Sequence, residues 1–216
     1  MSSAREAVLE RVRAAISRAD ASSVDRAYRR DGERTHDDVV DLFCERVADY
    51  RADVRRTSAN GVGASVTAIL ASAGARSVAV PAGLPPEWRP EGVRQLVDRG
   101  LTWHDLDALD GVVTGSTVAI AESGTIVLSA APDEGRRALT LVPDLHVCVV
   151  ETVRIVELLP EAMERLTPLV RAERRPLTFI SGPSATSDIE LKRVEGVHGP
   201  RRLAVLVVDE AVSERR

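Results

Sequence analysis

Short, mostly apolar runs separated by turns constrain the fold of this chain more than any other feature of its sequence. We predict strands at 77–81, 111–114, 118–121, 125–128, 138–142, 147–150, 177–180 and 203–208. Helices are predicted among these runs, over 64–73 and around 160–172. Strands that are apolar on both faces and are interspersed with helices indicate an α/β sheet covered on both sides. The strand-dense stretch 112–150, with its short Gly or Pro turns, predicts that part of the sheet is antiparallel or mixed.

The first fifty residues predict two helices joined by a polar linker. Residues 4–19 carry apolar side chains at helical spacing, and residues 20–35 are polar and contain glycine. Thr35 is placed to cap the second helix. The buried stripe predicted for that helix is Val39, Leu42, Phe43, Val47 and Tyr50. The first helix has no core of its own, so we expect it to dock on the main body or on another subunit. We divide the chain into an N-terminal helical extension, 1–57, and an α/β domain, 58–216.

Composition argues against nucleic-acid binding. The net charge is −4 and aromatic residues make up 3% of the chain, whereas duplex binding needs a basic face and single-strand binding needs aromatic platforms. The N-terminal residues lack the continuous apolar segment of a secretory signal. No apolar run approaches the roughly 18 residues of a membrane span. We therefore expect a cytoplasmic protein without a membrane span.

The chain has two cysteines, Cys44 and Cys148, and both stand in apolar runs. An iron–sulfur cluster usually needs four thiolates, and a structural zinc site needs about four ligands. The histidines show no short ligand spacing such as H-x-x-x-H, so we predict no metal and no cofactor in this chain. Lys192 is the single lysine, and any Schiff-base chemistry would depend on it.

The first candidate site is the pair of turns that flank the predicted strand 118–121. Glycine, serine and threonine in these turns expose backbone N–H groups to a ligand. The residues predicted to contact it are Thr114, Gly115, Ser123 and Gly124. Glu122 follows the strand, and open α/β sheets place their sites at strand ends, so Glu122 is a candidate catalytic carboxylate. The alternative is a plain β-hairpin with an exposed glutamate.

A second polar stretch follows the apolar run 177–180. If this stretch is extended, alternate residues from Ser184 to Glu190 share one face and converge on one pocket. If it is helical, Asp188 and Glu190 lie only in its first turn, behind a serine or threonine cap. Both alternatives stay open. The candidates taken from it are Asp188 as a catalytic residue, and Gly182, Ser184, Thr186 and Glu190 as ligand-binding residues.

The third candidate is His198, in a loop that flanking glycines and a proline hold just before the last predicted strand. A histidine titrates near neutral pH and can act as an acid, a base or a ligand, so His198 is a further catalytic candidate. The alternative is a turn histidine bonded to the backbone. His146 precedes another strand and could reach a site at the start of that strand.

Three blocks of the sequence together resemble a known family. They are TGSTVAIAESGTIVL at 114–128, RRALTLVPDLHVCVV at 136–150 and ISGPSATSDIELKRVEGVHGPRRLAVLVVD at 180–209. The blocks are similar to the LUD domain, and most closely to the lactate utilization protein C family. The resemblance implies a three-layer α/β/α arrangement with a mixed sheet, like that of sugar-phosphate isomerases and coenzyme A transferases.

The same resemblance implies a role in oxidising L-lactate to pyruvate together with two companion proteins, at least one of which binds iron–sulfur clusters. We therefore expect a cluster-free subunit that holds a small carboxylate ligand and is compatible with a homo-oligomer. Related coenzyme A transferases use a glutamate in an E-x-G turn as nucleophile, and Glu122-Ser123-Gly124 looks similar. The alternatives are a stand-alone isomerase or acyl-transfer enzyme that uses Glu122, and a non-catalytic assembly protein.

Overall fold

The computed structural model describes residues 4–16, 27–187, 193–195 and 198–209. The helices are α1 (Ala4–Ile16), α2 (His36–Asp49), α3 (Val62–Ser72), α4 (Trp103–Asp107) and α5 (Leu159–Glu173). The strands are β1 (Asp53–Ser58), β2 (Ser77–Pro81), β3 (Arg94–Asp98), β4 (Gly111–Thr114), β5 (Val118–Ile120), β6 (Thr125–Leu128), β7 (Leu145–Glu151), β8 (Ile155–Val156), β9 (Thr178–Ile180), β10 (Ala185–Ser187), β11 (Arg193–Glu195) and β12 (Arg202–Asp209). None of the helices in these ranges combines the length and the apolar character that crossing a bilayer requires.

Six strands form one wholly parallel sheet in the order β1-β12-β7-β4-β2-β3. Its central strands, β7 and β12, are buried at every position from 145 to 150 and from 203 to 208. Such strands have no polar side because both faces of a parallel sheet are covered. The predicted α/β class is confirmed, and its main sheet is parallel.

A second sheet has the strand order β8-β5-β6-β9. β5 and β6 form an antiparallel hairpin, β9 joins β6 antiparallel, and β8 joins β5 in parallel. The mixed pairing predicted for the middle of the chain therefore lies in a separate sheet. β10 and β11 form a small antiparallel pair of their own.

Helices and the second sheet cover the two faces of the parallel sheet. On one face α3 packs through Val62, Val66 and Leu70. On the other face α2 packs through Phe43 and Val47, next to the side chains of β5 and β6. Complete burial of a large apolar side chain contributes roughly 1.5–3 kcal/mol, so these contacts hold the layers together.

The N-terminal helices begin where they are predicted. Thr35 caps α2, with its Oγ1 accepting a hydrogen bond from the Asp38 N–H at 3.3 Å. Tyr50, predicted to be buried, is instead the C-cap of α2 and is 41% exposed. Helix α1 is present, and all its residues are exposed, including the apolar stripe of Val8 and Val12. Residues 17–19 of the predicted helix lie outside the described residues.

The strand predicted over 138–142 is wrong. Arg137–Thr140 form a 3-10 helix, which buries Ala138 and Leu139 against side chains of β2 and β4. An apolar run by itself does not distinguish a buried turn from a strand. The reverse holds for β1, whose sequence DVRRTS is polar because β1 is an edge strand. This strand spans residue 57, where the N-terminal extension was predicted to end.

Candidate functional site

One cavity collects four of the residues named in the sequence analysis, namely Gly182, Ser184, His198 and His146. Its volume is about 230 Å³, and we call it the His146 cavity. The other lining residues are Arg137, Thr140, Thr178, Phe179, Ile180, Ser181, Pro183, Gly199, Pro200 and Leu203. His146 and Leu203 pair with each other at the start of β7 and β12, so the cavity lies beside the beginning of the two central strands.

Two loops close around this cavity and bind each other. The Ser184 N–H donates to the Pro200 carbonyl at 2.8 Å, and the His198 N–H donates to Ser184 Oγ at 3.0 Å. The Ser184 hydroxyl hydrogen takes no part in the second contact. Gly182 has a φ of +93°, and a Cβ there would lie 2.5 Å from Cβ of Tyr50. Only glycine fits this close approach of the loop to the end of α2.

His146 forms a buried wall of the cavity. Its side chain is 1% exposed, and Nε2 lies 2.8 Å from Thr114 Oγ1. Burial, together with the positive charge of Arg137, lowers the pKa of His146 to about 3. The ring is therefore neutral at pH 7.

Arg137 supplies a positive charge to the same cavity. Its Nη1 donates to the carbonyl and to Oγ1 of Thr140, at 2.8 and 3.0 Å, and its Nη2 reaches the His198 carbonyl at 3.4 Å. Burial lowers the pKa of the guanidinium, which still stays charged. Within the ranges that the structure describes, no carboxylate is ion-paired with Arg137. A cation that is partly buried and unpaired favours an anionic ligand.

Thr114 and Gly115 support this wall from behind. The Thr114 side chain is fully buried, and its hydroxyl donates to the Gly115 carbonyl at 2.9 Å. A Cβ at Gly115 would overlap the carboxylate of Asp133, so glycine allows this backbone to pack closely. Thr114 contacts His146 and is not itself among the residues that line the cavity, and its predicted contact with a ligand stays a prediction.

Glu122 lies at a different place. It borders a groove of about 640 Å³, which we call the Glu122 groove. The other lining residues are Tyr28, Arg29, Arg30, Leu158, Leu159, Pro160, Met163, Glu164 and Thr167. The Glu122 side chain is 58% exposed and accepts a hydrogen bond from Arg29 Nη2 at 3.1 Å. The structure therefore does not bring Glu122 together with Ser184 and His198, and the catalytic role of Glu122 stays a prediction.

The turn that follows Glu122 is nevertheless linked through hydroxyl groups to one residue in the wall of the His146 cavity. Ser123 Oγ lies 2.8 Å from Thr125 Oγ1, which lies 2.8 Å from Oγ of Ser181 in the cavity wall. Gly124 has a φ of +58°, and a Cβ there would lie 2.8 Å from the Arg46 carbonyl carbon. Ser123 and Gly124 thus join the hairpin to the cavity wall and to α2.

The remaining predicted residues are only partly described. Thr186 lies in β10, opposite Val194 of β11, so residues 185–187 adopt the extended alternative. Asp188 and Glu190 lie outside the described residues, as does Lys192. Cys148 is a buried free thiol whose pKa is raised to about 12 by burial. In the part of the chain that is described, no three metal-ligating side chains cluster.

The sequence did not single out Glu157, which fastens residues 27–35 to the body of the protein. We call these residues the strap. Glu157 is 3% exposed, and its Oε2 accepts hydrogen bonds from the N–H groups of Glu33 and Arg34 at 2.7 and 2.9 Å. Its Oε1 accepts a third from Arg34 Nη1 at 2.6 Å. The strap also carries Arg29, which bonds Glu122.

Releasing Glu157 is expected to open the strap. The hydrogen bond from the Arg34 N–H is the largest of several contacts with the strap that lower the pKa of Glu157. The ionised carboxylate of Glu157 is therefore the form that holds the strap. Hydrogen bonds to a charged group are worth about 1.5–3 kcal/mol, so Glu157→Gln should raise the open population roughly ten- to hundredfold. Trypsin should then cut after Arg29 and Arg34 faster by a similar factor, as followed by mass spectrometry.

Glu164→Gln is the matched control for this experiment. Glu164 is an exposed residue of α5 that also borders the Glu122 groove, and its replacement should leave the cutting rate unchanged. Equal rates for wild type and Glu157→Gln would mean that Glu157 does not hold the strap.

Comparison with known proteins matches this chain to one family. The LUD domain matches residues 94–208. A protein named lactate utilization protein C from Deinococcus radiodurans is 48% identical over 172 residues, covering 79% of this chain and 80% of that protein. One of the same name from Halalkalibacterium halodurans is 27% identical over 192 residues, covering 82% of each chain.

A solved structure is also similar. The crystal structure of a DUF162 family protein from Deinococcus radiodurans superimposes with a TM-score of 0.72 at 40% sequence identity. The match covers 82% of this chain and 99% of the other. This chain therefore shares its fold with that structure.

Proposed function

This chain belongs to the LUD domain family, and from that premise we propose that it takes part in lactate utilization as a cluster-free subunit of a system that oxidises L-lactate to pyruvate. Its relatives named lactate utilization protein C support a role in lactate utilization. The chain's two cysteines are too few for an iron–sulfur cluster, which supports partners that carry the clusters. Both described thiols are free, which supports a cytoplasmic location.

The observation that carries the proposal is the His146 cavity. It sets Arg137, which has no ion-pair partner among the carboxylates that the structure describes, beside a neutral imidazole and the hydroxyl of Ser184, in a space suited to a small molecule. A guanidinium binds a carboxylate through paired hydrogen bonds, so the ligand of this subunit is a small carboxylate. The alternative of acyl transfer by Glu122 has less support because Glu122 is ion-paired with Arg29 and lies outside the cavity.

Gene deletion and complementation test this function. Removal of the gene from its host should abolish growth on L-lactate and leave growth on glucose unchanged. A wild-type copy should restore growth on lactate, and an Arg137→Ala copy should fail because the ligand loses its cationic partner. Doubling time on lactate is the measurement, with protein levels checked by immunoblotting.

Arg136→Ala is the matched control. Arg136 is the neighbouring arginine, but it bonds Asp98 at 2.8 Å and does not line the cavity. Its replacement should restore growth as the wild type does. Normal growth of the deletion strain on lactate would refute the function. Purification of the tagged chain without any iron–sulfur protein would refute the proposed partners.

A further inference from the structure

We propose that helix α1 of one copy of this chain docks into the Glu122 groove of a second copy, and that the two copies exchange their helices reciprocally to form a dimer. The inference goes beyond the proposed function and concerns a surface separate from the His146 cavity. Four observations support it: an uncovered apolar row on α1, a matching row in the groove, complementary charges beside the two rows, and the stretch of chain that joins them.

Helix α1 carries an apolar row that the single chain leaves uncovered. Val8, Val12 and Ile16 are four residues apart, so their side chains stand above one another on one side of the helix. They are 48–61% exposed, and every other residue of α1 is exposed as well. A helix of 13 residues is marginal in water and depends on the packing of its apolar side. Helix α1 therefore needs a partner surface.

The Glu122 groove contains a row of the same spacing on α5. Leu159, Met163 and Thr167 are four residues apart, and all three line the groove. Leu159 and Met163 are large apolar side chains that stay exposed, and Pro160 and Tyr28 extend this apolar wall. Rows with four-residue spacing on two helices interdigitate at about −50°, the commonest crossing of helices in globular proteins. The α5 side of the groove is therefore a surface on which the α1 row can pack.

Charged residues beside the two rows complement each other. Arg11 and Arg13 stand about 100° to either side of Val12 around α1, so both guanidinium groups flank the apolar row. Glu122 and Glu164 border the groove, and both carboxylates are exposed. Within the described ranges neither of these two arginines has an ion-pair partner, and Glu164 has none either. Opposite charges at the edge of an interface speed association and fix its register.

The two arginines that the strap contributes to the groove are compatible with this fit. Arg29 lies 3.1 Å from a carboxylate oxygen of Glu122 and 3.6 Å from one of Glu157, so its charge is compensated. The guanidinium of Arg30 lies over the Tyr28 ring, 5.2 Å from the ring centre, and both residues belong to the strap. The charge that α5 contributes to the groove is that of Glu164, which is negative, as the basic flanks of α1 require.

The chain between α1 and the groove favours exchange between copies. Residues 17–26 connect α1 to the strap, and Tyr28 of the strap lines the groove. So short a connection keeps α1 within about 40 Å of the groove, at an effective concentration in the millimolar range. The α1 row of the single chain is exposed despite this proximity. The helix of a second copy therefore fills the groove, and the exchange is reciprocal in a two-fold dimer.

Reciprocal exchange also gives the dimer enough buried surface. Each helix of 13 residues is about 20 Å long. One such contact is smaller than the interfaces of specific complexes, whereas two bury on the order of 1,200 Å², which is the lower limit for a stable dimer. We therefore expect a dimer that forms at micromolar concentrations of the chain and dissociates on dilution.

Analytical ultracentrifugation of the full chain tests the dimer, which we expect at about 100 µM protein. Val12→Glu on the α1 row and Met163→Glu in the groove should each weaken dimerisation at least about tenfold, because each buries a charge against apolar side chains. Both positions are exposed, so circular dichroism should find the fold unchanged. Ala7→Glu adds the same charge about 140° away from Val12 around α1 and should leave the dimer intact. A monomeric wild type, or an unweakened dimer in either row variant, would overturn the proposal.

Disulfide trapping distinguishes exchange between copies from docking within one chain. A variant with both Val12→Cys and Met163→Cys should form covalent dimers under mild oxidation, as seen on non-reducing gels. The wild type should form none, since Cys148 is buried and Cys44 is partly buried. An internal disulfide in a monomer, identified by mass spectrometry, would mean that α1 fills its own groove. The absence of any disulfide would mean that α1 does not bind the groove, and either result would overturn the exchange.

Discussion

Lowering the pH from 7 to 4 is expected to cost the folded protein about 3 kcal/mol through His146 alone. The pKa of this residue is about 3 in the folded chain and about 6.5 when the chain is unfolded. Because the folded pKa is the lower one, the unfolded chain binds the proton first as the pH falls. The stability that His146 contributes is therefore complete above pH 6.5 and is lost progressively below it, at about 1.4 kcal/mol for each pH unit.

Urea unfolding at pH 7, 6, 5 and 4 measures this loss. Carboxylates contribute to the total slope, so the informative quantity is the difference between wild type and His146→Gln, which cannot titrate. His36→Gln is the control, since His36 is exposed at the start of α2. The control should keep the wild-type slope. If His146→Gln also keeps it, the ring is not buried in its neutral form.

The second large effect is expected from Phe43→Ala, which should lower the free energy of unfolding by about 3–5 kcal/mol. Phe43 is fully buried in the cluster where α2 meets both sheets. Truncating its ring leaves a cavity in a cluster whose members include Val150, Val207 and Leu128, and these belong to three different strands. Chemical unfolding followed by circular dichroism provides the measurement.

Two further substitutions calibrate this result. Phe43→Leu keeps most of the volume and should cost less than about 1.5 kcal/mol. Glu45→Ala, on the exposed side of the same helix, should stay within about 0.5 kcal/mol of wild type. A loss below about 1 kcal/mol for Phe43→Ala would show that α2 is not an integral part of the core.

The sequence predicts strands best where both faces are buried. β7 and β12 are read from their apolar runs because helices and the second sheet cover them completely. β1 is not predicted as a strand because an edge strand keeps polar side chains. Residues 138–142 are wrongly predicted as a strand because a buried 3-10 helix is equally apolar. The pattern of apolar residues along a sequence indicates which positions are buried. In an edge strand or a buried turn, that pattern no longer indicates the secondary structure.

The site is less predictable because its parts come from distant positions. Gly182, Ser184 and His198 were proposed from local patterns, and the cavity does join them. Arg137 also lines the cavity and contacts His198, which is 61 positions away in the sequence. Local spacing in the sequence cannot predict a contact between positions so far apart. Glu122 does follow a strand, but β5 belongs to the second sheet and its end meets a different groove. Sequence spacing does not indicate which sheet a strand joins.

The position of β12 between β1 and β7 has a consequence for how the protein is made. β1 is hydrogen-bonded to β12 alone in its sheet, and Asp53 pairs with Ala204. β1 therefore cannot pair until all the residues between these two positions have been synthesised. Contacts so distant in sequence form slowly, and the waiting edge of β7 is apolar and unpaired in the meantime. The sheet is therefore expected to close only after residue 209 leaves the ribosome, and until then the nascent chain exposes an apolar strand edge that is prone to aggregation.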